Sequence, residues 1–365
     1  MTGKKWFGTF LILFMAALVL VGSVVAYVDP FFHYRAPRDF FFYKLYDQRS
    51  QNDGITKNFE YDAMVTGTSM AENFKTSQFD ELFGTDSVKI IYAGATYKEI
   101  NDNIRVAYET GHALKYVFRP IDYSLLLRDK DEMRMDMGEY PVWLTNKNIF
   151  DDVKYLLNRD VIVSYTLPAI AKYFMGAEPG VTSFDEYSYT GDENDYSRDS
   201  ALDGRNGKSF GEPVETFEAT NDEILMTYAN VDQNIVSLAK EHPETTFIYF
   251  FPPYSMAYWG GLREEGELSK YLELIKISAA AMLECDNIHV YSFAYQLDVT
   301  SDLENYRDVA HYSPEINDLI ESEIAAIENG GISADKWNLR ITTDNLDSFF
   351  DGLYKLLENY DYNSL

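Results

Sequence analysis

Two residues that could share a proton stand three apart near the C-terminal end of the chain, in "NYRDVAHYSPEIND" at residues 305–318. They are Asp308 and His311, and His311 is one of five histidines among 365 residues. A carboxylate beside an imidazole holds the ring in one tautomer, and the ring can then accept a proton from a nucleophile. The D-x-x-H spacing lets one loop present both groups, so the pair predicts a base that needs a nucleophilic partner.

The candidate partner is a serine far earlier in the chain, in "VTGTSMAEN". An apolar run that fits a buried strand stops there, and Gly67 allows a tight turn that places Ser69 just beyond the strand. A serine at such a position is also typical of an ordinary helix N-cap. The Asp308 and His311 pair favours the nucleophile, because a serine hydroxyl attacks an ester only when an imidazole takes its proton.

Strands and helices alternate between these two segments. Strand-like and helical patterns follow one another at residues 88–95, 97–111, 114–124, 226–242, 245–255, 267–285 and 287–293. Such alternation predicts an α/β fold with a mostly parallel sheet flanked by helices in three layers. Reactive groups gather at the C-terminal ends of parallel strands, so Ser69 and the Asp308 loop are expected at one edge of the sheet.

The start of the chain predicts a membrane segment. Residues 6–28 contain no charged side chain, and a helix of ~20 such residues spans the hydrocarbon layer. Lys4 and Lys5 predict that residues 1–5 are cytoplasmic and that the rest lies outside the plasma membrane. A cleaved signal peptide is the alternative. The apolar run is longer than a typical signal core of about 7–15 residues, which favours a retained single-pass anchor.

Beyond the anchor the pattern predicts further parts. Residues 29–60 are aromatic and punctuated by proline, which is typical of a membrane-proximal connector. Residues 61–330 are expected to form the α/β domain, with a helical and loop insertion at about 129–215 where the alternation breaks. Residues 331–365 predict a C-terminal helical extension.

Composition argues against several classes of function. The 59 acidic and 31 basic residues give a net charge of -28, which repels a nucleic-acid backbone. No G-x-G-x-x-G follows the first predicted strand, so dinucleotide binding is not expected. The histidines lack the close spacing of zinc motifs and Cys285 is the single cysteine, so neither a metal nor another cofactor is expected. The aromatic content of 16% is compatible with stacking on sugars, although core packing accounts for aromatics more often.

Three short motifs stand in order along the chain: "VTGTSM", "YAGATYKEIND" and "DVAHYS". Together they resemble the first, second and last blocks of the SGNH (GDSL-like) hydrolase superfamily. Within it they resemble the membrane-anchored, extracytoplasmic branch that includes the D-alanyl-transfer protein of teichoic-acid modification and the O-acetyltransferases of exported polysaccharides. The resemblance implies that Ser69 is the nucleophile, that Asp308 and His311 complete the triad, and that the backbone N–H of Gly94 helps to bind the oxyanion.

The chain departs from this pattern in two places. Thr68 replaces the aspartate of the G-D-S form. The third block, G-x-N-D, whose asparagine donates to the oxyanion, is absent after the predicted strand at 114–124, where Arg119 and Asp122 stand instead. We expect Thr68, Arg119 and Asp122 to contribute to the site. Loss of one oxyanion donor typically costs about 10²–10³ in rate unless another group supplies it.

The resemblance implies two-step acyl transfer through an acyl-enzyme on Ser69. A sugar or polyol acceptor would make the protein an O-acyltransferase acting on a cell-envelope or exported polysaccharide, with a membrane-bound acyl donor protein as partner. Water as acceptor would make it an esterase. A non-catalytic, SGNH-like envelope scaffold is the third hypothesis, and the absent third block favours it.

Overall fold

The computed structural model describes residues 3–135, 141–191, 194–330 and 339–365. The strands are β1 Phe42–Tyr43, β2 Ala63–Gly67, β3 Ser87–Ile91, β4 Tyr116–Pro120, β5 Gly180–Val181, β6 Thr246–Phe251, β7 Ile288–Ser292 and β8 Arg340–Ile341. The α-helices of the first half are α1 Gly3–Val28, α2 Gln48–Asn58, α3 Thr76–Phe83, α4 Tyr97–Glu109, α5 Val142–Thr145, α6 Val153–Leu156 and α7 Leu167–Phe174. Those of the second half are α8 Arg198–Leu202, α9 Asn221–Val231, α10 Ser237–Glu241, α11 Met256–Glu264, α12 Leu268–Met282, α13 Leu297–Thr300, α14 Pro314–Glu328 and α15 Leu346–Asn359.

Six of the described strands form one sheet, in the order β3-β2-β4-β6-β7-β8. The first five run parallel, and β8 pairs antiparallel with β7. The register sets Ala63 of β2 beside Ser87 on one side and Tyr116 on the other. Strands β2, β3 and β6 are buried along nearly their whole length, as expected for parallel strands covered by helices on both faces. The prediction of an α/β fold with a mostly parallel sheet is therefore confirmed.

The chain divides into two compact units. The N-terminal unit consists of residues 1–60 and 135–187, and the sheet unit of residues 61–134 and 188–365. Part of the segment that the sequence predicts as an insertion thus packs with the first 60 residues of the chain. This grouping depends on contacts between distant parts of the chain, including the parallel pairing of β1 with β5.

The N-terminal unit begins with a 26-residue apolar helix, α1. Its most apolar window has a mean hydropathy of 2.7, so α1 is long and apolar enough to be a membrane anchor or a signal sequence. The last two turns of α1 are part of the unit's core, because Val25 and Val28 are buried and Val25 belongs to an apolar cluster with Phe31, Tyr155 and Val161.

One helix of the sheet unit lies where the sequence predicts none. The sequence predicts a strand over 245–255, but β6 stops at Phe251 because Pro252 and Pro253 lack the N–H that a further ladder bond needs. Helix α11 starts directly afterwards, with the Ser255 hydroxyl accepting a hydrogen bond from the N–H of Tyr258.

Candidate active site

Ser69 lies in a tight turn at the carboxyl end of β2. A Cβ at Gly67 would stand 3.0 Å from the Ala71 Cβ and 3.0 Å from the Pro120 Cγ, so a larger residue would fit at this position only if these neighbours moved. Residues Ser69–Ala71 then form one turn of 3-10 helix, with the Thr68 hydroxyl accepting from the N–H of Met70 at 3.3 Å. The Ser69 side chain is half-buried.

The loop that carries Asp308 and His311 comes back to this turn. The Ser69 Oγ lies 2.8 Å from the His311 Nε2, and the His311 Nδ1 lies 2.7 Å from the Asp308 Oδ2. The other carboxylate oxygen of Asp308 accepts the backbone N–H groups of Ala310 and His311, each at 2.8 Å. The three side chains therefore form one continuous hydrogen-bonded chain from carboxylate to imidazole to hydroxyl.

Backbone contacts fix the position of the loop. Tyr306 and Tyr312 form an isolated antiparallel bridge across its base. The Val309 carbonyl accepts both the backbone N–H and the hydroxyl of Ser255, at 3.0 and 2.7 Å. The N-terminus of α11 thus holds the loop in place.

Hydrogen bonds keep Asp308 ionised. Burial acts to raise the pKa of Asp308, but the hydrogen bond from the His311 ring, the charge of that ring and the two backbone N–H groups outweigh it and lower the pKa to about 2. A carboxylate charged at all ordinary pH values orients the imidazole and stabilises its protonated form.

A second carboxylate, that of Asp122, lies beneath the serine turn. Asp122 is buried and accepts the Thr68 hydroxyl at 2.9 Å and the Tyr254 hydroxyl at 3.0 Å. Burial raises the pKa of Asp122, and the hydrogen bonds from Thr68 and Tyr254 only partly oppose that rise. Thr68 and Asp122 therefore contact each other and support the turn that carries Ser69.

Arg119 is not brought to the serine. It lies within β4, and its fully buried guanidinium donates to the backbone carbonyls of Asn234 at 3.0 Å and Tyr97 at 3.4 Å. Its position inside the strand, not after it, directs the side chain into the helix layer. The structure thus places the Arg119 side chain among buried backbone carbonyls, and its contribution to the site stays a prediction.

Gly94 lies in the turn after β3, with a φ of +64°, in the left-handed region that favours glycine. An added Cβ would collide with the guanidinium of Arg134, whose Nη1 donates to the Ala93 carbonyl at 2.8 Å. Gly94 is not among the residues that line the cavity beside Ser69. Its role as an oxyanion donor stays a prediction.

A small cavity of about 10 Å³ opens beside the serine, enough for one water-sized group. It is lined by Ser69, Met70, Asn73, Arg307, His311, Tyr312 and Asn317.

Two residues of this lining, Asn73 and Arg307, were not predicted from the sequence. The Asn73 side-chain carbonyl accepts the N–H of Thr190 at 3.0 Å. The Arg307 guanidinium donates to the Thr190 hydroxyl at 3.3 Å and lies 4.0 Å from the Glu72 carboxylate. The available signal was proximity, because Asn73 follows Ser69 by four residues and Arg307 precedes Asp308 directly.

Another imidazole and carboxylate pair lies in the same unit. The His289 Nδ1 is 2.7 Å from the Glu328 Oε1, and the same oxygen accepts the Tyr291 hydroxyl. The third member of that cluster is a buried phenol and not a serine, so it has the form of a structural cluster. Within the described parts of the chain, no group of three or more His, Cys, Asp or Glu side chains is arranged to hold a metal ion.

Comparison with known proteins adds no relative. No protein-family model, no curated protein and no solved structure matches this chain.

Proposed function

We propose that the protein is an extracytoplasmic, serine-dependent O-acyltransferase that modifies a cell-envelope or exported polysaccharide. The observation that carries the proposal is the chain of hydrogen bonds from Asp308 through His311 to Ser69, at 2.7 and 2.8 Å, beside a small cavity. Such a chain activates a serine hydroxyl at neutral pH. The motif resemblance to the SGNH (GDSL-like) superfamily supports the same assignment.

In the first half-reaction the Ser69 Oγ attacks the carbonyl carbon of an acyl donor. Its proton passes to the His311 Nε2, which then donates it to the leaving group as the acyl-enzyme forms. In the second half-reaction His311 takes the proton of an acceptor hydroxyl. The acceptor oxygen bonds to the acyl carbon, and the Ser69 oxygen leaves with the proton from His311.

The anion formed in each half-reaction needs donors. The backbone N–H groups of Ser69 and Gly94 are two candidates, in line with the resemblance. Asn73 lines the cavity, and we assign its side-chain amide to the place of the asparagine that the third block would supply. This assignment accounts for a working site in a chain that lacks G-x-N-D.

A retained anchor is supported by the packing of α1. Cleavage after Ala26 would remove Val25 from the apolar core of the N-terminal unit and would separate the Ala26 carbonyl from the Arg35 guanidinium, which donates to it at 2.8 Å. The helix end is thus an integral part of the unit. A membrane-bound acyl donor protein and a glycan acceptor outside the membrane are the partners that this location favours.

The test uses the full chain in lipid nanodiscs with p-nitrophenyl acetate as donor and a neutral oligosaccharide as acceptor. We expect release of p-nitrophenolate that depends on the oligosaccharide, together with an acetylated sugar detected by mass spectrometry. The Ser69→Ala variant should give neither. Release of acetate with no sugar product would make the protein an esterase, and no turnover at all with a folded protein would favour the scaffold.

A further inference from the structure

The N-terminal unit has an open apolar groove of about 520 Å³ next to the end of α1. Tyr27 of α1, Phe40, and Ile170 and Phe174 of α7 are among the residues that line it. Phe174 is 80% exposed. Single exposed hydrophobic side chains are normal on soluble proteins, but an exposed aromatic side chain within a continuous apolar groove indicates an interaction site.

Exposed apolar side chains are concentrated in this unit. Among the described residues, the unit has 80 outside α1, and thirteen large hydrophobic side chains there are exposed, against six in the 242 described residues of the sheet unit. Sequence charge divides in the same way. The N-terminal unit has 11 basic and 13 acidic residues, a net charge of -2, whereas the sheet unit has 20 basic and 46 acidic residues, a net charge of -26. The N-terminal unit is close to neutral, whereas the sheet unit has a large negative charge that an anionic membrane surface repels.

The length of α1 sets the position of the groove along the membrane normal. At ~1.5 Å per residue its 26 residues are about 39 Å long, and the hydrocarbon layer is about 30 Å thick. A span of ~20 residues that starts at Trp6 ends at Val25. Tyr27 and the groove then lie at the outer boundary between acyl chains and headgroups.

Cations border the groove at that height. The Arg35 Nη1 and the Arg38 Nε donate to the last carbonyls of α1, at 2.8 and 2.7 Å, and the Arg38 guanidinium lies 4.1 Å from the centroid of the Tyr27 ring. Lys172 of the adjoining helix lies 3.9 Å above the Phe42 ring. Apolar and aromatic side chains edged by Arg and Lys are the arrangement of segments that lie in a membrane interface.

We propose that the N-terminal unit is partly embedded in the outer lipid leaflet and that the groove between α1 and α7 takes up the acyl chain of a lipid whose phosphate meets Arg35 and Arg38. This inference rests on the retention of α1 in the membrane, and it does not depend on the chemistry at Ser69.

The test measures contact with lipid tails in the full chain. In a Cys285→Ser background, single cysteines at Phe174→Cys, Leu13→Cys and Leu225→Cys are labelled with an environment-sensitive fluorophore. Each protein is reconstituted in nanodiscs with and without doxyl-labelled phospholipid. Leu13 in α1 is the positive control, and Leu225 in α9 is its match in the sheet unit, since both side chains are 65% exposed.

We expect an about twofold or larger fall in emission at position 174, because a side chain ~5–10 Å below the boundary collides with the quencher. The emission of the label at position 13 should fall similarly, and that of the label at position 225 should hardly change. If the label at 13 is quenched while that at 174 behaves like that at 225, the embedded groove is wrong and the anchor stands. If the label at 13 is not quenched either, both the membrane anchor and the embedded groove are wrong. Activity at Ser69 is measured on the same samples, so failure of the proposed function is seen separately.

Discussion

A buried aspartate of the N-terminal unit and a half-exposed aspartate of the sheet unit use the same kinds of hydrogen bond with opposite results. Asp29 directly follows α1, is 2% exposed, and accepts the N–H groups of His33, Tyr34 and Arg35 as well as the Tyr155 hydroxyl. Burial raises its pKa in spite of these donors. The Asp308 side chain is 47% exposed, and its donors lower the pKa to about 2.

The difference shows what separates a structural carboxylate from one that can assist chemistry. Asp29 accepts its hydrogen bonds from backbone N–H groups and from a phenol inside the core. These bonds close the turn that follows α1. Asp308 stays ionised and orients an imidazole that in turn faces a half-buried serine. An aspartate with many hydrogen bonds therefore does not by itself identify a candidate active site. The hydrogen bonds that continue from Asp308 through His311 to Ser69 do.

The largest effect on turnover is expected from His311→Ala. Without the base, Ser69 keeps its proton, and turnover in the acyl-transfer assay should fall by about 10³-fold or more. The matched control is His289→Ala, which removes an imidazole that also faces a carboxylate in the same unit. We expect that control to change thermal stability and to leave turnover within a few-fold of wild type. Equal losses in the two variants would contradict the assigned site.

Asp308→Asn should lower turnover by about 10²–10⁴, because the amide favours the wrong imidazole tautomer. The variant also tests the low pKa of Asp308. A carboxylate whose pKa is lower in the folded than in the unfolded protein contributes stability above its unfolded value, and this contribution is lost as pH falls toward 2.

Urea unfolding at a series of pH values from 6 down to 2 would measure this contribution. The free-energy difference between wild type and Asp308→Asn should be constant at the upper end and should shrink below about pH 4, the unfolded value. A difference that did not change with pH would mean that Asp308 has no depressed pKa.

Asn73→Ala should lower kcat by about 10²–10³ with little change in KM, if its amide meets charge that develops only in the transition state. The matched control is Asn359→Ala, an exposed asparagine at the end of α15. A KM increase at constant kcat would place Asn73 in ground-state binding instead.

The smallest effect on the reactivity of Ser69 is expected from changes in the N-terminal unit. Asp29→Ala leaves the buried donors around it unpaired, and each such loss costs ~1–3 kcal/mol of unfolding free energy. Asp29→Asn is the matched control, because it keeps one acceptor and tolerates the φ of 54° at this position. Thermal unfolding of both variants gives the comparison, and Ser69 should still react in each. A loss of reactivity at Ser69 equal to that of His311→Ala would contradict the separate roles of the two carboxylates.

The sequence predicts the α/β sheet well because its signal is local. Apolar strands of five or six residues alternate with helical patterns, and parallel strands bring their carboxyl ends to one edge, so the approach of Ser69 to the Asp308 loop follows from topology. The sequence did not reveal where the Arg119 side chain lies, because a sequence does not show whether a residue near a strand's end points into the helix layer or toward the edge. Asp122, two residues beyond the end of β4, does reach the serine turn.

The N-terminal unit was less predictable because it depends on long-range contacts. Tyr155 bonds to Asp29 and to the N–H of Phe31 across more than a hundred residues, and no local pattern indicates such a partner. Asn73 was missed for a different reason. Its distance from Ser69 in sequence is short, but its place in the cavity depends on the 3-10 turn of Ser69–Ala71, which propensity does not specify.

The most direct test of the account is covalent labelling of the full chain with a fluorophosphonate, read by intact mass and peptide mapping. Wild type, Ser69→Ala and the control Ser269→Ala, whose hydroxyl bonds to the surface residue Glu218, are compared. We predict a single adduct at Ser69 in wild type and in Ser269→Ala, and none in Ser69→Ala. A folded wild-type protein without an adduct, or an equal adduct in Ser69→Ala, would contradict the activated serine on which the proposed function depends.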